Sequence, residues 1–498
     1  MDYPELPPTI KNEVTICRPI KTMHDSIHGI IEITEFALRV IDSPEFQRLR
    51  YLKQLGTCNF VYQNAIHTRF EHSIGTYHLT KQLLDTLTRN IGSYTDPCEV
   101  DKYLNNIDEL KKYYKRTYDD KTHTLDIYIV ELIKIAGLCH DLGHGPYSHI
   151  FDDVFIPNTG KKSSPYASHE MRSGALLERI IKNDNVLSKI ITDDEIMFMK
   201  NIINPKAKHS GFVYQIVSNN LNGLDVDKYD YLKRDSVVIN IPVSFDFSRL
   251  IQGVKIVDNI ICYPEQAVYD VLNLYNTRHY LHRQVYGHKG VIASQYIISE
   301  IMELIDPILN ISSSVENLDN FILLSDEYIL NSIKFLNNSK LTIVPHKYKV
   351  NLEKATQLMI NLGDYHKLYP YIGTVISETK SEMTEVDFAK IFNKKSLNKI
   401  SSNDILLFKN RVGYVSGNKT NPLDNIYVYK TKHLTKDKLR AIKFDKSHIT
   451  KLMPALHQEH VMMIFYKYKD NTDAVDELRK FVDSELNSFD RPNKRTRH

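Results

Sequence analysis

An apolar run that ends on an imidazole and a carboxylate constrains this chain more than any other feature. From Thr124 onward, Leu125, Ile129, Leu132, Ala136 and Cys139 recur at spacings of four and three, one stripe of an amphipathic helix, and Gly143 with Gly145-Pro146 stops it. His140 and Asp141 close that helix, where two adjacent polar groups are costly if buried without partners. Helix neighbours stand about 100° apart, so both reach a single point only if that point lies off the helix end. A cation placed there resolves the conflict, because neutral imidazole nitrogen and carboxylate oxygen are both good ligands for a divalent transition metal.

Such a cation needs more donors, and three further segments are rich in them: His67-Thr-Arg-Phe-Glu-His72-Ser73, Ser168-His169-Glu170 and Leu224-Asp225-Val-Asp227-Lys228-Tyr-Asp230-Tyr231. His72 and Asp227 lie in similarly patterned helices, which gives the set His72, His140, Asp141 and Asp227, a cage with open positions for water and a phosphate oxygen. Without thiolates the donors suit Fe, Mn, Zn or Mg, and the choice stays open. An isolated His-Asp pair is more simply a core histidine followed by a capping aspartate; the segments taken together argue otherwise.

Composition narrows the setting. The 498 residues are 42% hydrophobic and 25% charged, with 64 Lys plus Arg against 61 Asp plus Glu, so bulk charge gives no nucleic-acid signal. Cys17, Cys58, Cys98, Cys139 and Cys262 form no CxxC pair, which argues against a disulfide framework and a thiolate zinc site. No apolar run is long enough to span a bilayer, and the start MDYPELPPTIKNEV lacks a signal-peptide pattern. An intracellular protein, cytoplasmic or nuclear and without a membrane partner, is the expectation.

The motifs RFEHS, AGLCHDLGHGPYSH and GLDVDKYDYLKRD, with IDSPEFQRLRYLKQLG (41–56) and NTRHYLHRQVYGHK (276–289), resemble those of the HD phosphohydrolase superfamily. Within it they are most similar to the SAM-and-HD-domain deoxynucleoside triphosphate triphosphohydrolases of animals. The resemblance is good over residues 21–289 and thinner beyond, with no room expected for a SAM domain. It implies a mainly α fold, a helical HD-domain core with a smaller mixed α/β C-terminal lobe. The expected divisions are an N-terminal extension (1–20), the HD domain (21–306), a regulatory and oligomerisation lobe (307–470), and a charged helix with a basic tail (471–498). Short β-branched runs, LTIVP and NIYVYK, suggest strands in that lobe, and EFQRLRYLKQL after Pro44 suggests a helix in the body. The charged, Tyr-rich stretch between Gly92 and Thr124 reads as a solvated excursion with one helix.

The resemblance also assigns chemistry. Its four metal ligands fall on His72, His140, Asp141 and Asp227, and it implies attack on the α-phosphate of a dNTP with Mg accompanying the substrate. His144 and His149 follow on a Gly-Pro turn, and imidazole is suited to protonate a departing 5′ oxygen near neutral pH. His149 is the general-acid candidate, with Asp152 three residues on to orient it, and His169 matches a further catalytic histidine of the family, beside Glu170. Each could instead be a structural, hydrogen-bonded histidine. Arg69 shares a helix face with His72, Lys228 and Tyr231 follow Asp227, and Arg278, His282 and Tyr286 recur every four residues as an all-donor row. By resemblance Arg69, Lys228, Tyr231 and Arg278 hold phosphate, Gln54 and Asp235 read the 3′-hydroxyl, and Leu55 and Tyr286 crowd the 2′ side of the sugar.

For regulation, the resemblance implies a guanine-nucleotide site at Lys21, Asp42, Gln47 and Arg50, although Asp42 before Ser-Pro also suits capping of the next helix. A second nucleotide site matches at Arg249, His288 and Lys289. It departs at Pro264 and Gln266, where bases are expected, at Asp270 for an amide, and at Gly413 near an expected lysine by Lys409-Asn410-Arg411. A homo-oligomer, dimer or tetramer, with GTP as activator and deoxynucleotide activation altered or absent, is therefore expected. Competing readings are an HD phosphatase or phosphodiesterase acting on another nucleotide, and a nucleotide-sensing or single-stranded nucleic-acid-binding protein. The latter rests on KKYYKR (111–116) and the basic tail.

Overall fold

In the computed structural model the described residues are 11–243, 246–338, 344–396, 398–415, 420–430, 439–445 and 456–486. Helices dominate, as expected, and the HD core is built around the Ile127–Cys139 helix. The anticipated stripe is buried, but so is every other residue from Tyr128 to Cys139, so the helix is a central rod and not an amphipathic surface element. Its neighbours are the helices Arg69–Asn90 and Asp193–Ile203. Full burial leaves Glu131 and Lys134 in the core, where they satisfy each other at 2.6 Å; such a pair is tolerated only when both charges are partnered.

Three local signals place the site-bearing helices. Thr68 and Glu71 form a capping box that starts the Arg69–Asn90 helix, putting His72 in its first turns. Asp225 accepts from the backbone N–H of Lys228 (3.0 Å) and starts the Val226–Val238 helix one residue before Asp227. Ser168 caps His169–Asn183, so His169 is the first residue of that helix.

Several expectations are corrected. Residues after Pro44 do not form one helix: a turn of α-helix, Pro44–Gln47, tightens into a 3₁₀ turn, Arg48–Tyr51, and Leu52 is extended. The cause is the buried Arg48 guanidinium, which donates to the carbonyls of Leu324 (2.7 Å) and His144 (2.6 Å), while Arg69 N bonds Leu52 O. The Gly92–Thr124 excursion holds two helices, Pro97–Asn105 and Lys111–Tyr118, and Tyr113 and Tyr114 are buried. Their hydroxyls donate to Asp126 (Tyr113, 2.8 Å) and to Thr124 O (Tyr114, 2.9 Å), so the tyrosines of KKYYKR present no stacking platform for bases.

β1 (Pro19–Asp25) and β2 (Gly29–Thr34) form an N-terminal hairpin. β3 (Lys255–Val257) and β4 (Ile260–Pro264) form a second, whose β4 pairs in parallel with β7 (Tyr427–Tyr429), followed by β8 (Ile442–Lys443). NIYVYK is thus a strand of the body's sheet, returned from the far end of the chain. The mixed lobe is an antiparallel sheet, β5 (Tyr371–Ser377), β9 (Gln458–Tyr466) and β6 (Ile405–Gly413), backed by the helices Glu385–Lys395 and Thr472–Phe481 around its own core of Phe388, Phe392, Ile464 and Leu478. Residues 311–338 and 344–362 pack with the body's core through Phe321, Ile329, Ile333 and Leu358. Most of LTIVP and the basic tail lie outside the described residues. No described helix is long and apolar enough to cross a membrane.

Candidate metal centre

His72, His140 and Asp141 bring ligand atoms within one small space, and Asp227 completes the group. His72 Nε2 lies 3.2 Å from His140 Nε2, 3.2 Å from Asp227 Oδ1 and 3.5 Å from Asp141 Oδ2. His140 Nε2 lies 3.4 Å from both Asp141 Oδ1 and Asp227 Oδ1. The outer nitrogens are already engaged: His72 Nδ1 with Asp230 Oδ2 at 2.8 Å, and His140 Nδ1 with Gly137 O at 2.8 Å. Those acceptors keep the ring protons on Nδ1, so both Nε2 lone pairs point at the same spot. Two facing lone pairs and two carboxylates in a buried space repel unless a cation lies among them. The residues fit a divalent ion held by His72, His140, Asp141 and Asp227.

Without an ion, the same negative field favours a proton on His72. Burial works against a charged His72, but Asp227, Asp230 and Asp141 overcome it and push its pKa up to about 10. Burial likewise opposes ionisation of Asp141 and Asp227, yet Arg69 and His140 hold the first, and His140 and His72 the second, well below the usual carboxylate range.

A second group lies alongside: His144, Asp152 and His169. The rings of His144 and His169 stack with centroids 3.9 Å apart. Asp152 Oδ2 takes His169 Nδ1 at 3.0 Å, and its other oxygen takes Arg172. Asp152 therefore orients His169, not His149 as expected; His149 is exposed and lies 3.5 Å from Asp153. The approach of the two histidine segments depends on Gly143, because a side chain there would collide with the backbone of His169 and Ser173. Burial lowers the His169 pKa, but Asp152 and Glu170 more than offset it and raise it. Burial, Arg69 and His169 together hold His144 well below the ordinary histidine value. The stack thus pairs one ring of raised pKa with one of lowered pKa.

No protein-family model matches the chain. Curated relatives do. One, the HD domain-containing protein L394 of Acanthamoeba polyphaga mimivirus, is 40% identical over 409 residues, 81% of this chain and 84% of the relative. Another, the deoxynucleoside triphosphate triphosphohydrolase SAMHD1 homolog of Dictyostelium discoideum, is 32% identical over 457 residues, covering 91% and 79%. The chain belongs to the SAMHD1-like HD-domain family. The Gallus gallus deoxynucleoside triphosphate triphosphohydrolase SAMHD1 is 30% identical over 485 residues, covering 91% and 72%.

Of the other expected residues, Arg69 and Tyr231 touch this SAMHD1-like centre directly. Arg69 pairs with Asp141 and donates to Ser148 Oγ at 3.1 Å. Lys228 Nζ lies 3.0 Å from Asp225, and the Tyr231 ring stands edge-on to His72. Tyr286 donates to Asp235 Oδ2 at 2.6 Å, and Asp235 Oδ1 meets His67 Nε2 at 2.8 Å. Gln54 Oε1 is buried with no hydrogen-bond partner among the described residues. Leu55 is half-buried beside it. Arg278 donates to Gly413 O at the end of β6, and the row continues through a π-helical turn, His282–Tyr286, with His282 edge-on to Tyr286.

The residues expected to bind regulatory nucleotides are exposed or half-buried. Lys21 and Asp42 are exposed. Asp42 does not cap the following helix: the Ser43 side chain does so, accepting from Phe46 N, which leaves the Asp42 carboxylate outside the cap. Gln47 bonds Ile41 O, and Arg50 bonds Gln47 Oε1 while its guanidinium lies 3.5 Å over the Phe70 ring. Arg249 faces Asp270 at 3.2 Å, so its charge is partnered within the chain. His288 accepts from Gly290 N at its helix start, and Lys289 lies 5.2 Å over Tyr371.

Missed by sequence reading were Asp230, Arg234 and Arg172. Asp230 was detectable as a carboxylate one helical turn beyond Asp227.

Proposed function

We propose that this protein is a metal-dependent deoxynucleoside triphosphate triphosphohydrolase, cleaving dNTP at the α-phosphate into deoxynucleoside and inorganic triphosphate. The observation that carries it is the His72–His140 Nε2 pair, 3.2 Å apart between two carboxylates, in a chain 32% identical to a relative of that name. A divalent transition metal there, Fe, Mn or Zn, supplies a water of lowered pKa and charge stabilisation at the phosphoryl oxygens, with Mg accompanying the substrate.

The chain's own groups do the rest. Arg69, Lys228, Tyr231 and Arg278 bind the phosphates; Gln54 and Asp235 take the 3′-hydroxyl; Leu55 and Tyr286 exclude a 2′-hydroxyl. His149, the exposed ring of the imidazole group, delivers a proton to the departing 5′ oxygen, and His169, edge-on to it at 5.9 Å, holds a proton against Asp152. GTP binding at Lys21, Asp42, Gln47 and Arg50 and assembly into a dimer or tetramer belong to the same reading, with deoxynucleotide activation weakened by the Arg249–Asp270 pair. Incubation of purified protein with each dNTP, with and without GTP and metal, tests it: inorganic triphosphate and free deoxynucleoside are expected. Orthophosphate or pyrophosphate as the first product would instead indicate another HD phosphatase activity.

A further inference from the structure

Asp230 makes four contacts. Its Oδ2 accepts from His72 Nδ1 and Arg234 Nε, both at 2.8 Å, and its Oδ1 meets His28 Nε2 at 2.6 Å and Arg234 Nη2 at 3.0 Å. Arg234 also donates to Asp25 Oδ2 at 2.9 Å, and Asp25 Oδ1 accepts the backbone N–H groups of Ile27 and His28 at 2.8 and 2.9 Å. Asp25 is the last residue of β1 and the only buried one in that strand, and His28 lies in the turn to β2. The N-terminal hairpin, whose β1 is otherwise largely exposed, is therefore joined to the His72 imidazole through one continuous buried ionic chain.

A second observation shows that the space for this chain is built. Gly75 sits three residues after His72 on the same helix, and a Cβ there would collide with the Asp230 carboxylate and the Arg234 guanidinium. Stability alone does not account for so many buried charges, because well-packed apolar residues of similar volume commonly match or exceed a buried ionic network. The network does something apolar residues cannot: it fixes the proton on His72 Nδ1 and the plane of its ring.

We infer that Asp25, His28 and Arg234 are positioning residues for the His72 ligand, acting through Asp230, and that the N-terminal hairpin thereby sets the metal affinity of the centre. The inference rests on the reading of His72 as a ligand. Its test is Mn²⁺ titration of the full-length protein, wild type against Asp25→Asn, His28→Ala and Gly75→Ala, with His28→Gln as the variant that keeps a donor toward Asp230. Mn²⁺ affinity is expected to fall by about 10–100-fold in the first three, with hydrolysis recovering at excess Mn²⁺, and to return largely in His28→Gln. If Asp25→Asn does not fold, His28→Ala carries the test. Unchanged Mn²⁺ affinity, whatever happens to the melting temperature, overturns the positioning role and leaves the proposed activity standing. Conversely, wild-type protein that binds Mn²⁺ at this centre but releases no triphosphate from dNTP refutes the activity and leaves the positioning role intact.

Discussion

The Nε2 atoms of His72 and His140 face each other at 3.2 Å, although each ring already uses its Nδ1 on a neighbouring acceptor. Neither ring can turn its Nε2 elsewhere without breaking that bond. The arrangement is stable only around a positive charge, so the metal is expected to stabilise the fold as well as serve the reaction. At a free metal concentration of 100 times Kd the gain is about 2.7 kcal/mol. Thermal unfolding with Mn²⁺ against chelator should show it, and His72→Ala or Asp227→Ala should abolish both the shift and hydrolysis.

The stacked His144 and His169 rings predict a pH dependence. Burial lowers the His169 pKa, but Asp152 and Glu170 outweigh it, so the folded-state value lies above the ordinary one and the proton is present below it. Activity that needs this proton falls as pH rises through that raised value. Asp152→Asn removes the main charge raising it, so the alkaline limb of the kcat profile should move to lower pH. His149→Ala should lower kcat by about 10²–10⁴-fold with a smaller change in KM.

Leu55 and Tyr286 predict sugar selectivity. Tyr286 is held by Asp235 at 2.6 Å and cannot easily swing aside. Leu55→Ala or Tyr286→Ala should raise the ratio of kcat/KM for GTP over dGTP by roughly 10–200-fold, the range available to a steric exclusion of this size. An unchanged ratio in both variants removes these residues from sugar recognition.

The buried Glu131–Lys134 pair gives a stability test away from the site. Lys134→Met leaves the Glu131 charge unpartnered in the core and should cost about 3–5 kcal/mol. Adding Glu131→Gln should recover most of that loss in denaturant unfolding.

His140-Asp141 was legible because an apolar run ends on it, whereas the Thr68–Glu71 capping box before His72 and the Asp225 cap before Asp227 went unread. The frame behind the ligands was not legible either. Asp25 and Arg234 are 209 residues apart, and nothing local marks either as the other's partner. Periodicity also misjudged the Ile127–Cys139 helix, because Glu131 and Lys134 imitate a solvated face while neutralising each other inside. The general-acid geometry was misplaced for a related reason. Spacing put Asp152 under His149, whereas the chain there passes into a π-helical turn, Phe151–Phe155, with Asp153 beside His149 and Asp152 on His169. NIYVYK was visible as a strand but not as the partner of β4, which only the closed fold supplies.

Anomalous X-ray scattering from crystals grown with Mn²⁺ tests the central claim most directly. One strong peak within coordination distance of His72 Nε2, His140 Nε2, Asp141 and Asp227 is the predicted result. A Mn²⁺ peak elsewhere, with these four side chains bonded only to one another, would contradict it.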